Sequence, residues 1–309
     1  METPGIPELS KHLNDRGRMI WVDLEDPTDE EAGVLGGIFG FHVLAAEDCI
    51  QGRHLPKVDT YDDYLFSIFH AVETDRMADV FATSNVSIFI GDHFLVTHHQ
   101  KHVKGIFDTR GQVAKNPGSL LRSPDWLLHS ILDAMVDNYL GSLEALEGRI
   151  QSLDVELLKT PSESALESAL ILKREVFHLH RVGKLQQRIL ADMANGQISR
   201  IADENSVYYR DIYDHLVLVT QKAESYRDML SGTLEIYSAL VSRRMDRAIR
   251  TLTVVTASIL PPTLLAGILQ VNPNMLPGLS AEYLPIAVWG AALFLILLSF
   301  AIFKNKRWF

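Results

Sequence analysis

The sequence has little or none of several features that mark common protein classes. Cys49 is the only cysteine among 309 residues, which excludes a disulfide or a thiolate metal cluster within one chain. The formal net charge is -10 at pH 7, and this argues against nucleic acid as a partner, because phosphate binding needs a basic surface. No Ser-His-Asp order, glycine-rich phosphate loop or paired-carboxylate pattern stands out. The sequence therefore gives little support to catalysis, and we expect a protein that is not an enzyme.

The C-terminal part of the chain contains two long apolar runs. They cover residues 251–269 and 284–303 and are separated by residues 270–283. As a helix, each run of about twenty residues spans about 30 Å, the thickness of the hydrocarbon core of a bilayer. We therefore predict two transmembrane helices. The alternative is a buried helical hairpin in a soluble protein.

Basic residues flank the two runs, whereas residues 270–283 contain no Lys or Arg. The flanking residues are Arg243, Arg244, Arg247, Arg250, Lys304, Lys306 and Arg307. Short segments rich in Lys and Arg stay on the cytoplasmic side of a membrane. We expect both termini, including the basic tail 304–309, to be cytoplasmic and residues 270–283 to form an extracytoplasmic loop. Because the first thirty or so residues lack the apolar stretch of a signal peptide, the C-terminal segments would direct insertion.

Residues 1–122 have a mixed pattern that predicts an αβ domain. Three β-rich runs begin near Tyr64, Val86 and Phe94, and Gly91-Asp92 is predicted to form a hairpin turn between the last two. Residues 26–31 start a helix with acidic residues in its first turn. We expect a sheet flanked by helices.

From Ser123 onward the pattern is helical. Ser123-Pro124 gives an N-cap and a proline at the first helical position, and a second helix begins near Ser162. We therefore predict a helical hairpin over residues 123–204. A third helix has no proline from about Glu204 to Pro261, so residues 205–250 would form a long stalk that continues into the first apolar run.

The long third helix carries an apolar stripe at spacings of three and four residues. Its members are Val207, Ile212, Leu216, Val219, Ala223, Tyr226, Leu230, Leu234, Tyr237 and Val241. The stripe faces either other helices of this chain or the same helix of other subunits. Two spans alone do not enclose a water-filled path, so transport would require an oligomer.

The densest histidine groups do not favour a metal site. They are His98, His99, His102, His178 and His180. Adjacent residues of a strand point to opposite faces, and alternate residues of a helix do not share a face. A structural zinc site also needs four ligands.

Several motifs, in order and spacing, resemble the CorA family of divalent metal ion transporters over nearly the whole chain. They are residues 46–50 (AEDCI), 56–66 (PKVDTYDDYLF), 209–215 (YRDIYDH), 226–232 (YRDMLSG), 252–253 (LT), 260–261 (LP) and 265–268 (LAGI). The resemblance implies a homopentameric funnel in a bacterial-type inner membrane. In this arrangement an αβα cytoplasmic domain precedes five long stalk helices, which continue as pore-lining helices (251–269) inside an outer ring of second spans (284–303).

The resemblance also implies a pore mouth that selects ions. The family reads Tyr-Gly-Met-Asn at this point, whereas this chain has Leu269, Gln270, Val271 and Asn272. Only the asparagine remains. A glutamine in place of the glycine disfavours the tight turn that glycine permits, so the loop must be shaped differently, although Gln270 adds an oxygen that could face a hydrated ion.

Two further groups of residues are implied by alignment with the family. The pore lining and gate would be Asp246, Ile249, Leu252, Leu260 and Thr263. The regulatory acids that bind cations between neighbouring cytoplasmic domains would be Asp75 and Asp211, with Glu235 at a nearby stalk position. Apolar rings close a pore by dewetting, and oxygen ligands at a subunit boundary suit a hard cation.

The function that the resemblance implies is a channel or transporter for divalent cations, gated by cation binding between cytoplasmic domains. Magnesium is the family's usual ion, and the altered mouth favours zinc, cobalt or nickel. These ions are substrate and regulator, with no organic cofactor. The alternatives are a zinc transporter or efflux protein, a non-conducting membrane scaffold or sensor, and a membrane-tethered enzyme.

Overall fold

The computed structural model describes residues 6–52, 54–73, 81–159, 162–271 and 284–305. The strands are β1 (Ile20–Glu25), β2 (Lys57–Thr60), β3 (Leu65–Val72), β4 (Thr83–Ile90) and β5 (Phe94–His99). The short helices are α1 (Ile6–Leu13), α2 (Asp29–Ala32), α3 (Val34–Gly37), α4 (Val43–Gln51), α5 (Lys104–Lys115) and α6 (Pro117–Leu120). The long helices are α7 (Pro124–Lys159), α8 (Glu163–Ala194), α9 (Ser206–Val271) and α10 (Leu284–Asn305). Two compact units, Met1–Leu234 and Glu235–Phe309, divide the chain.

The first unit contains a five-stranded sheet in the order β1-β5-β4-β3-β2. Strands β2 to β5 pair antiparallel, and β1 pairs parallel with β5. The predicted hairpin turn at Gly91-Asp92 joins β4 to β5. The predicted helix start after Asp26 is α2, where Thr28 and Glu31 cap each other reciprocally.

Helices cover both faces of the sheet, so every residue of β3 is buried. On one face, Leu35 and Phe41 pack against Phe66 and Phe89 of the sheet. On the other face, the Tyr139 hydroxyl of α7 donates a hydrogen bond to the His70 carbonyl (2.9 Å).

The pairing of β2 with β3 ends at Ile68, so β2 does not supply a partner for the backbone of His70. Gln186 of α8 fills this place, because its Oε1 accepts from the His70 backbone N–H at 2.9 Å. An unsatisfied buried N–H is costly, and this bond removes that cost. It also ties α8 to the sheet, which completes an αβα arrangement.

The predicted long helix is confirmed as α9, which runs without interruption through Pro261 and Pro262. Its buried face in the first unit is the centre of the predicted stripe, where Ile212, Leu216 and Val219 are fully buried. Val207 at one end and Val241 at the other are exposed.

Among the residues that the structure describes, no helix is both long enough and apolar enough to cross a membrane. The two spans at 251–269 and 284–303 stay a prediction.

Candidate functional site

The implied pore-lining residues lie on one face of α9, in the second unit. They are Asp246, Ile249, Leu252, Leu260 and Thr263, and all five are exposed. At about 100° per residue, all five fall within an arc of about 120° around the helix. The Thr263 hydroxyl donates to backbone carbonyls of the preceding turn, at 3.0 Å for Ile259, so its oxygen keeps lone pairs free to accept from water.

The apolar members of this face are far more exposed than residues of a folded core. Ile249 is 53% exposed, Leu252 is 66% and Leu260 is 64%. Apolar side chains on α10, such as Trp289 (77%), are exposed as well. Exposed apolar surface of this extent marks a region that contacts another protein copy or lipid.

The structure describes four of the implied site residues only in part or not at all. The backbone of Gln270 and Val271 forms the last turn of α9, and their side chains lie outside the described part. Asn272 and Asp75 lie outside the described residues altogether.

The two other implied regulatory acids, Asp211 and Glu235, are both exposed on α9. Glu235 belongs to the second unit. Asp211 lies in the first unit, where its charge acts on Asp133 and on His129 of α7. The structure thus places Asp211 beside titratable groups that the sequence analysis missed.

These groups include a cluster formed by Asp133 and Asp137 of α7 and His215 of α9. One ligand atom from each residue lies within 4.8 Å of the other two. Residues four apart share a helix face, so Asp133 and Asp137 project together and Asp211 projects beside His215. We call Asp133, Asp137 and His215 the α7–α9 cluster.

Hydrogen bonds further along the helices explain why these faces meet. Tyr226 donates to Glu147 at 2.6 Å and Thr233 donates to Asp154 at 2.8 Å, and both pairs are 79 residues apart. A constant separation means that α7 and α9 run parallel and in register. The same separation places Asp137 opposite Leu216, one residue from His215.

The surroundings of the α7–α9 cluster disfavour the charged form of Asp133. Burial and the nearby charge of Asp137 raise the pKa of Asp133. Nδ1 of His215 is buried and has no hydrogen-bond partner among the described residues. Two four-residue spacings in the sequence, Asp133 to Asp137 and Asp211 to His215, could have indicated the cluster.

Two members of the dense histidine groups, His99 and His178, make hydrogen bonds within the fold. His99 has one ring nitrogen 2.7 Å from the Lys101 carbonyl and the other 3.1 Å from an Asp23 carboxylate oxygen. Both neighbours are acceptors, which favours the doubly protonated ring, in which both nitrogens donate. Burial opposes this charge, but the Asp23 hydrogen bond and charge together with the Lys101 carbonyl raise the pKa of His99. His178 bonds the Thr83 hydroxyl at 2.8 Å.

The αβα unit, the long helix and the stripe of α9 residues agree with a metal ion transporter. The chain belongs to the family of CorA-like Mg2+ transporter proteins, whose family model matches residues 16–307. This is a family of membrane transporters, as the sequence motifs imply.

Similar proteins support the same assignment. The chain is 32% identical to the putative metal ion transporter YfjQ of Bacillus subtilis, over 94% of this chain and 89% of that protein. It is 27% identical to the cobalt/magnesium transport protein CorA of Thermotoga maritima, over 89% of this chain and 78% of that protein. The fold resembles that of the CorA magnesium transporter from Methanocaldococcus jannaschii, with a TM-score of 0.81, 23% identity and coverage of 94% and 91%.

Proposed function

We propose that the chain is the subunit of a homopentameric channel that lets divalent cations move passively across the inner membrane. The observation that carries the proposal is the family match over residues 16–307. Substrate cations meet protein oxygen atoms and water along the path, and no organic cofactor takes part. The acidic charge of -10 suits a protein that attracts cations.

The pore is lined by the face of α9 defined above. The exposed apolar residues Ile249, Leu252 and Leu260 form rings when five copies surround one axis, and such rings stop ions by dewetting. Asp246 and Thr263 supply polar rings at either end of this stretch. A single copy leaves all five side chains exposed, which supports assembly around a shared path.

Residues 251–269 and 284–303 cross the bilayer in this proposal, with both termini in the cytoplasm. The arginines before the first run and Lys304 after the second support this orientation, because basic flanks stay on the cytoplasmic side. The exposed apolar side chains of α10 would then contact lipid or other spans.

Gating depends on cations held between the cytoplasmic domains of neighbouring copies. Asp75 and Asp211 would supply carboxylate ligands there, and Glu235 would supply a further acid on the stalk. Loss of the bound cation leaves these acids to repel one another, which favours opening.

The ion is chosen at the outer mouth by Gln270, Val271 and Asn272. Magnesium is favoured because the chain belongs to the family of CorA-like Mg2+ transporter proteins. Zinc, cobalt or nickel is favoured by the replacement of Gly and Met in the motif. Asn272 keeps the side-chain carbonyl that would face a hydrated ion.

The proposal is tested by divalent cation flux into proteoliposomes that contain the full-length protein. Magnesium, zinc, cobalt and nickel are supplied separately and in competition. We expect flux of at least one ion, reduced by Asn272→Ala because the mouth loses its carbonyl. Asn274→Ala is the matched control in the same loop and should retain flux. Absence of flux for every ion would refute the proposal.

A second candidate function is a membrane scaffold or sensor that assembles but does not conduct. The specific observation in its favour is that Gln270 and Val271 stand where the family has Gly and Met. Selective permeation in the same flux assay would exclude it, whereas assembly without permeation would support it.

A further inference from the structure

Four arginines lie on α9 immediately before the first predicted span. They are Arg243, Arg244, Arg247 and Arg250, and all four are exposed. Among the residues that the structure describes, none of the four takes part in an ion pair. Asp246 is the one acidic residue between Glu235 and Glu282. The positive charge of this stretch is therefore not balanced by the sequence around it.

Two of these arginines line a groove that follows the helix into the predicted span. The groove has a volume of about 550 Å³ and is lined by Arg244, Arg247, Ala248, Thr251, Leu252 and Val255. At about 1.5 Å per residue it extends about 16 Å along the helix axis. Its arginines precede the predicted boundary at residue 251, and its larger apolar side chains follow it. The groove thus changes from cationic to apolar at the level where the bilayer would begin.

The arginines of the groove lie away from the face assigned to the pore. Counting about 100° per residue, Arg244 and Arg247 lie about 140–160° around the helix from the centre of that face. An assembly in which the pore-lining face surrounds the axis therefore turns both guanidinium groups away from the ion path. Their ligand would come from the bilayer and not from the pore.

The chemistry of the groove suits a phosphate group that is attached to an acyl chain. Arg244 and Arg247 are three residues apart on one helix face, so both guanidinium groups can donate hydrogen bonds to one phosphate. The Thr251 hydroxyl donates to the Arg247 carbonyl at 3.0 Å, which leaves the arginines as the donors at this end. Leu252 and Val255 are 66% and 48% exposed and offer apolar surface to the chain. Two adjacent positive charges favour a headgroup of net negative charge over a zwitterionic one.

We propose that Arg244 and Arg247 bind the phosphate of an anionic phospholipid on the cytoplasmic side of the bilayer, with an acyl chain along Leu252 and Val255. This inference rests on the proposed placement of residues 251–269 in the bilayer and adds a lipid ligand to it. The bound phosphate offsets the repulsion between the two guanidinium groups and fixes the level of α9 at the membrane surface.

The test is native mass spectrometry of the full-length protein in a neutral detergent, titrated with phosphatidylglycerol or with phosphatidylcholine of the same acyl chains. We expect phosphatidylglycerol to bind more tightly. An arginine near an anionic lipid contributes about fivefold in affinity, so Arg244→Gln and Arg247→Gln should each weaken phosphatidylglycerol binding about fivefold and the double variant about 25-fold. Inorganic phosphate at the same concentration should not displace the lipid, because it has no acyl chain.

Arg250→Gln is the matched control, because it removes the same charge from an exposed position that is closer to the predicted span but outside the groove. It should retain the preference for phosphatidylglycerol. All three arginines are exposed, so their replacement leaves the packed core untouched, and circular dichroism checks that the fold is retained.

Three results would overturn the proposal. They are equal affinity for the two lipids, an equal loss of phosphatidylglycerol binding in Arg250→Gln, and displacement of the lipid by inorganic phosphate. Flux is measured separately, so a conducting protein without the lipid preference refutes the lipid site alone. A non-conducting protein with the preference refutes the transport function alone.

Discussion

The ion pair between Arg149 of α7 and Glu175 of α8 gives a sharp prediction about what holds the first unit together. The Arg149 guanidinium contacts both oxygens of the Glu175 carboxylate, at 2.7 and 3.1 Å. The Glu175 side chain is only 4% exposed, whereas that of Arg149 is 33% exposed. The two partners are therefore not equivalent, because only the carboxylate is cut off from water.

Replacing Arg149 by Met removes the charge and leaves most of the apolar stem. The Glu175 carboxylate then stays buried without a partner, which costs about 3–5 kcal/mol. For a folded unit of this size, each kcal/mol lowers Tm by about 2–4 °C, so we expect a drop of about 6–20 °C. Glu175→Gln should cost less, because Arg149 can turn toward water. The double variant should be more stable than Arg149→Met alone, since it carries no buried unpaired charge.

Thermal unfolding of the full-length protein in detergent, followed by circular dichroism, measures these differences. Arg18→Met is the control, because Arg18 pairs with Asp15 at the surface, with side chains 64% and 52% exposed. An exposed pair contributes about 0–1 kcal/mol. If Arg149→Met lowers Tm no more than Arg18→Met does, the asymmetric burial does not have the energetic role assigned to it.

The remaining predictions concern pH and helix packing. Because the pKa of His99 is raised on folding, its ion pair with Asp23 stabilises the fold fully below the ordinary histidine pKa. That contribution is lost as pH rises through the raised pKa of His99, so Tm measured between pH 5 and 9 should fall in the upper part of this range. His99→Gln should flatten this part of the profile. If the profile of the variant is unchanged, the ion pair between His99 and Asp23 does not stabilise the fold in this way. A Cβ at Gly105 would lie 3.0 Å from the backbone N of Met135, so Gly105→Ala should cost about 1–3 kcal/mol in thermal unfolding. At Gly111 a Cβ meets nothing within 4 Å, and Gly111→Ala should be neutral or stabilising.

Local patterns were enough to predict much of the fold. The turn at Gly91-Asp92, the helix start at Ser123-Pro124 and the uninterrupted α9 each depend on residues that are neighbours in sequence. The parallel pairing of β1 with β5 does not, since it joins Ile20 to Phe94 across several intervening elements. Alternation within β1 is compatible with more than one neighbour in the sheet, so the sequence of this strand does not identify β5 as its partner.

The α7–α9 cluster shows the same limit at the level of chemistry. Asp133 and Asp137 are visible as a four-residue spacing, but so are many acidic pairs on solvated helix faces. What brings His215 to them is the register of α7 against α9, and that register depends on buried side chains such as Ile212 and Leu216 and on the bonds from Tyr226 and Thr233. Histidines that are close in sequence, as at positions 98 and 99, were the more conspicuous signal, yet strand geometry sends them to opposite faces. Side chains that converge from two packed helices depend on packing between distant segments, and sequence spacing within one element does not contain that information.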